Sequence, residues 1–379
     1  MFDVRAMGTV DGGPEVPAWL TAFWLVGPYS FATMLTVLHM SAAESAAGGG
    51  HDGEGNGGRR LWLELAVLGG MCCFQCGMAL WAPALRSTAG RLWALGALLA
   101  AAVPALALSA PGVRVMMTLE ALMNGLCRGV ALLGSDALRG RSFAQRLGYM
   151  VIFHDVTTAQ PCAGAAERRA HAQRIAASLS VWVPTAAVAL AALLTVLPPP
   201  AAAVAAALPP ATNPIVGVTV VSSVLRSALG IVFFYSFLVV IDGAYGGTLL
   251  LAGIGAEPAM DAPYRSRSFG EFWGRRWDRA MQSILFVAAY RPARALGAGR
   301  GGAALATFVL SAAVHTCGVA VGGASTAECG SMFAFFLVQA GFVLIEAAVE
   351  SPAGWLVTMG CISLSAPLFA LPLLAVCGL

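Results

Sequence analysis

The chain has 379 residues, of which 58% are apolar or aromatic and 11% are charged, with a formal net charge of +3. Soluble domains carry about 25% charged residues, enough to cover a water-facing surface. This chain cannot cover one, so a soluble enzyme, a disordered regulator and a nucleic-acid binder are excluded. Mean hydropathy of +0.77 and continuous rather than alternating apolar runs point to an all-α, polytopic helical membrane protein, not a β-barrel.

About 20 apolar residues span a bilayer core. Nine stretches reach or approach that length: 19–39, 61–85, 92–110, 115–134, 179–197, 215–241, 303–321, 332–349 and 355–374. The first has no basic leader and no clear cleavage site, so it reads as a membrane helix. Between the first two lies a Gly-rich link, 41–60, expected to be mobile. Its His51, Asp52 and Glu54 hold no fixed geometry and read as solvated, so no metal site is expected. Cys73 and Cys76 have CxxC spacing but sit inside an apolar run without a second ligand pair.

Arginine placement sets the orientation. Segment 135–178 carries Arg139, Arg141, Arg146, Arg168, Arg169 and Arg174. Segment 242–302 carries eight more, from Arg265 to Arg300. Two spans separate these segments, which places both on the cytosolic side. His154 and Asp155 read as interfacial, and the glycines of 297–302 as a flexible link.

Ionisable residues inside apolar runs are costly and usually face a cavity or a partner. Here they are Glu64, Glu120, Arg128, Arg226, Asp242, His315 and Glu346. Glu120 and Arg128 are eight residues apart, on one helix face, and read as a structural polar stripe. His315 lies deep in an uninterrupted run, and neutral imidazole can take and return a proton near neutral pH. The stretch 263–281 sets Phe272, Trp273 and Trp277 among Arg267, Arg275, Arg276 and Arg279. Trp273 and Trp277, four apart, predict one face of an interfacial amphipathic helix. Such a helix is either a surface anchor or the lining of a cytosolic mouth for an anionic cofactor.

The block Ser-Phe-Gly-Glu-Phe-Trp-Gly-Arg-Arg-Trp-Asp at 268–278, followed by an apolar span with a lone His, resembles the wax synthase branch of the membrane-bound O-acyltransferases. Asp261 to Pro263, Ala289 to Pro292, Phe335 through Gln339 to Glu346, and Pro367 to Pro372 extend the resemblance. It covers about 255–379 of what reads as a single membrane-embedded domain.

The resemblance implies a multi-pass enzyme, of the endoplasmic reticulum membrane, that moves a fatty acyl group from acyl-CoA to a lipid hydroxyl. A long-chain alcohol would give a wax ester; a sterol, diacylglycerol or smaller alcohol is the alternative acceptor. The partners are the bilayer, acyl-CoA as co-substrate and a lipid alcohol, with no bound cofactor. His315 takes the place of the family's histidine and would be the general base. Asp278 falls where the family usually has Asn or His, so its charge departs from the pattern. It would orient the imidazole or the acceptor, or else pair locally with Arg275 or Arg279. Arg275 and Arg276, flanked by Trp273 and Trp277, are the expected CoA-phosphate contacts. Cys317 points about 200° away from His315 on a helix, so no acyl-enzyme is expected. The rival class, a transporter using these residues as a relay, needs broken helices and a repeat that the sequence does not show.

Overall fold

The computed structural model describes residues 160–195 and 214–377, with isolated positions between Gly77 and Arg146. The first four predicted spans, the 41–60 link, Cys73, Cys76 and the His154–Asp155 pair lie outside them, apart from those positions. Within them five helices are long and apolar enough to cross a membrane. They correspond to the last five spans read from the sequence.

The first of the five, α1 (Ala165–Thr195), begins before the apolar run itself. Its opening turns, rich in Ala, Glu, Arg and Gln, are strong helix formers and carry Glu167 at the N-terminal end. Arg168, Arg169 and Arg174, placed in the basic link by the sequence, therefore ride on the helix. At 31 residues it measures about 46 Å, longer than a bilayer core of about 30 Å. α2 (Pro214–Leu251) is longer still. The two pack along much of their length because α2 presents glycine to α1. A Cβ on Gly243 would stand 2.8 Å from the Leu179 side chain, and one on Gly246 would be 3.4 Å from Ile175. A short antiparallel pair, β1 (Gln160–Pro161) with β2 (Ile254–Gly255), ties the ends of these helices together.

After β2 the chain forms a belt of short elements. A 3₁₀ turn (Pro263–Arg265) leads to α3 (Phe269–Glu271), a π-turn (Phe272–Arg276), α4 (Arg279–Leu285), a second π-turn (Phe286–Tyr290) and α5 (Arg291–Ala295). Ser268 caps α3 by accepting the Glu271 amide at 2.9 Å. Glu271 accepts the Arg267 amide at 2.8 Å in return.

α6 (Arg300–Val321), α7 (Thr326–Val349) and α8 (Trp355–Cys377) complete the chain. A Ser325–Glu328 capping box starts α7. α7 packs on both α6 and α8, and α8 returns against α2 at Gly230, where a Cβ would lie 2.8 Å from Leu374. The core between α6, α7 and α8 holds Phe308, Ala312, Met332, Phe335, Phe336 and Ala340, with α3 contributing Phe269.

Glu346 locks the belt to this core. Its carboxylate accepts the Gly270 amide in the first turn of α3 at 2.9 Å and the Ala353 amide before α8 at 3.0 Å. A carboxylate at orphan helix-start amides is favoured by charge and by hydrogen bonding.

Candidate active site

His315 lies on the inner side of α6, half-buried. Its Nδ1 is 2.8 Å from the Ser311 carbonyl oxygen one turn earlier. A carbonyl only accepts, so Nδ1 carries the proton and Nε2 keeps its lone pair. The ring faces Phe336 of α7, with centroids 4.7 Å apart, and Phe369 of α8 at 5.9 Å. Phe335 continues this wall, 5.2 Å from both Phe336 and Phe369. The result is a basic nitrogen held in an aromatic chamber, the environment a neutral imidazole needs to act as a base.

The block 268–278 does not form the continuous amphipathic helix expected from its spacing. Phe272–Arg276 is a π-turn, Trp277 is extended and Asp278 is left-handed with φ 46° and ψ 66°. Stacking of Phe272 on Trp277 at 5.4 Å closes the turn. Trp273 and Trp277 still touch, with centroids 6.0 Å apart, but they serve different neighbours. Trp273 reaches Phe308 at 5.8 Å and Phe335 at 6.2 Å, which brings it to the back of the His315 wall. Trp277 packs with Tyr235 and Met260 beside α2.

The four residues expected at a CoA mouth therefore divide. Arg276 is engaged in the fold: its Nε donates to Glu271 at 2.7 Å and its Nη1 to the Asp261 carbonyl oxygen at 3.0 Å. Its charge also lies 3.7 Å from the Asp261 carboxylate. Burial alone would raise the Glu271 carboxyl, but the Arg267 amide and the Arg276 guanidinium outweigh it and hold it below its ordinary range. The Arg275 carbonyl accepts from Arg279 Nε at 2.9 Å.

Asp278 stands apart from His315. Among the described residues the two share no hydrogen bond. The Asp278 carboxylate caps α4, accepting the Met281 amide at 3.1 Å. The local ion pair anticipated with Arg279 goes elsewhere, since the charge partner of Arg279 is Asp261 at 4.0 Å. Asp278 is buried and lies in the field of Asp242 on α2 and of Arg128, themselves buried. Burial pushes its carboxyl up to about 7; Asp242 adds to the rise, while the Met281 amide and Arg128 oppose it. Asp242 accepts the Ala259 amide through both oxygens, at 3.1 and 3.0 Å. Arg128 thus belongs to a charged cluster beneath the belt. Among the described residues Asp278 is linked to the chamber through packing: Ile284 and Leu285 of its helix cluster with Val314, the neighbour of His315.

Gln339 enters the sequence reading only within the resemblance and Ser365 not at all, because that reading sought ionisable groups for chemistry. Gln339 of α7, fully buried, accepts from Trp273 Nε1 at 3.1 Å and donates to Ser365 Oγ of α8 at 2.7 Å. A lone amide in an apolar span was the available signal.

A shallow groove runs between the belt, α6 and α7. Gly270, Trp273, Gly301, Ala304, Phe308 and Val343 line it, together with the exposed Arg300. Ala304 and Phe308 share the α6 face of His315, eleven and seven residues before it in the sequence.

Residues 256–338 match the family model described as "Membrane bound O-acyl transferase family". Two curated Arabidopsis thaliana proteins are similar over part of the chain. "Probable long-chain-alcohol O-fatty-acyltransferase 3" is 36% identical over 70 residues, 17% of this chain and 20% of the relative. "Probable long-chain-alcohol O-fatty-acyltransferase 6" is 37% identical over 68 residues, with the same coverage. The aligned stretch thus amounts to about a fifth of each relative's length.

Proposed function

From a chain whose residues 256–338 match the membrane-bound O-acyltransferases and which resembles their wax synthase branch, we propose an enzyme that transfers a fatty acyl group from acyl-CoA to a lipid hydroxyl. The observation that carries this reading is His315. A spanning helix places its imidazole in an aromatic chamber, with Nδ1–H fixed on Ser311 and Nε2 free to accept a proton. In the proposed reaction Nε2 takes the proton of the acceptor hydroxyl as its oxygen attacks the thioester carbonyl. The C–S bond breaks, and the CoA thiolate leaves with the proton that the imidazolium returns. Oxygen is acylated directly, with no acyl-enzyme.

The apolar faces of the spanning helices suit the acyl chain, and the arginines of the belt suit the CoA phosphates. Arg275, whose charge also helps hold the Glu271 carboxyl down, is the proposed contact in this reading. Arg276 contributes through the shape of the π-turn it braces, and Trp273 and Trp277 frame that turn. Asp278 acts by fixing α4 against Val314. A long-chain alcohol is the proposed acceptor, and the endoplasmic reticulum membrane the proposed site of action.

The test is acyl transfer in membranes of a host lacking neutral-lipid synthesis, with labelled acyl-CoA offered against fatty alcohols, sterols and diacylglycerol. Wax ester formation by the wild type, abolished in H315A at equal expression, is the expected result. Labelled sterol ester or triacylglycerol instead would reassign the acceptor, and undiminished turnover in H315A would defeat the mechanism.

A further inference from the structure

An amide inside a membrane-spanning helix is expensive unless both its ends are bonded. Gln339 has no exposed surface, and both ends are engaged. Trp273 Nε1 donates to its Oε1 at 3.1 Å, and its Nε2 donates to Ser365 Oγ at 2.7 Å. The Ser365 hydroxyl in turn donates back to α8, to the Cys361 carbonyl oxygen at 2.8 Å or that of Ile362 at 3.0 Å. One string of hydrogen bonds thus joins the π-turn of the belt, α7 and α8 at a single level.

Those three elements also carry the rings around His315. Phe335 and Phe336 lie one turn before Gln339 on α7, and Phe369 one turn after Ser365 on α8. Trp273 backs the wall through Phe335. Among the described residues the imidazole has a hydrogen bond at one edge, to a carbonyl of its own helix. The aim of Nε2 is therefore decided by how Phe336 and Phe369 meet the ring. That in turn is decided by the register of α7 against α8, which an apolar contact leaves free to slide and a hydrogen bond does not.

We propose that Gln339 is a positioning residue for His315: by bonding Trp273 and Ser365 it fixes the register of α7 and α8 and so the orientation of the aromatic chamber around the base. The inference rests on the acyl-transfer reading for its kinetic consequence, but not for its structural one.

The experiment compares full-length wild type, Q339L, Q339E and S365A in detergent. Four quantities are measured: apparent Tm, kcat, the KM of each substrate, and the rate at which diethyl pyrocarbonate modifies His315, followed by mass spectrometry. Q339L keeps the volume and removes both bonds. It is expected to lose at least tenfold in kcat with both KM values within twofold, and to change His315 modification severalfold. A neutral glutamic acid can accept from Trp273 and donate to Ser365, so the kcat of Q339E relative to wild type at the same pH is expected to rise toward acid pH and fall as the carboxyl ionises. If Q339L does not fold, S365A, which cuts only the α8 end, carries the test with a severalfold loss.

A folded Q339L with kcat and His315 modification both within twofold of wild type overturns the proposal. So does a loss that tracks only the folded fraction. A wild type inactive toward every acceptor, with His315 modification still shifted in Q339L, would remove the acyl-transfer reading and leave the positioning role in place.

Discussion

Asp278→Asn separates two roles that the sequence alone left together, orienting the base and holding local structure. The Asp278 carboxyl is raised from 3.8 to about 7, chiefly by burial. In the unfolded chain it ionises near its ordinary value, so between about pH 4 and pH 7 only the folded protein holds the proton. Folded stability must then fall as pH rises through that window and level off above it. The rise to about 7 corresponds to a ceiling of about 4 kcal/mol.

Asparagine tolerates the left-handed backbone at φ 46° and remains a good helix cap. It cannot ionise, so it removes the penalty and keeps the geometry. The apparent Tm of wild type and variant, followed in detergent from pH 5 to pH 8, is expected to diverge. The advantage of the variant over the wild type should grow by several degrees between pH 5 and pH 8. Parallel curves, or a variant less stable by a constant amount, would refute the burial argument. Because Asp278 makes no hydrogen bond to His315, the same substitution is expected to leave the pH–rate limb of the imidazole in place. A displaced limb would restore the orienting role.

Arg276 and Arg275 are expected to respond differently. R276Q breaks the bond to Glu271 at 2.7 Å and should cost about 1–2 kcal/mol of stability with both KM values affected alike, whereas R275Q should raise the acyl-CoA KM selectively; equal kinetic effects would defeat the division. Removing the double clamp with E346A leaves the Gly270 and Ala353 amides without their acceptor, and a loss of about 2 kcal/mol in thermal or denaturant stability is expected. An unchanged midpoint would show that the belt is held by packing alone. For topology, cysteines at Gly164 and Gly299, where a Cβ meets nothing within 4 Å, should both label from the cytosolic side. Labelling of only one would break the two-span separation of the basic segments.

The last five spans were legible in the sequence because membrane crossing is set by apolar length, a property of consecutive residues. His315 was legible for a related reason: a lone imidazole inside such a run stands out, and the block before it carries a family resemblance. What the linear pattern could not decide was how that block bends. Spacing of four placed Trp273 and Trp277 on one helix face, whereas stacking of Phe272 on Trp277 closes a π-turn and sends the two indoles to opposite neighbours. The partners of the charges were equally out of reach. Arg276 and Arg279 both answer to Asp261, and Asp278 answers to Asp242 and Arg128, up to 150 residues away in the sequence. Local sequence determines that a segment must enter the membrane and which groups it brings. Which buried group meets which is decided only when the helices pack, because each polar atom must find its partner among whatever surfaces that packing brings within about 3 Å.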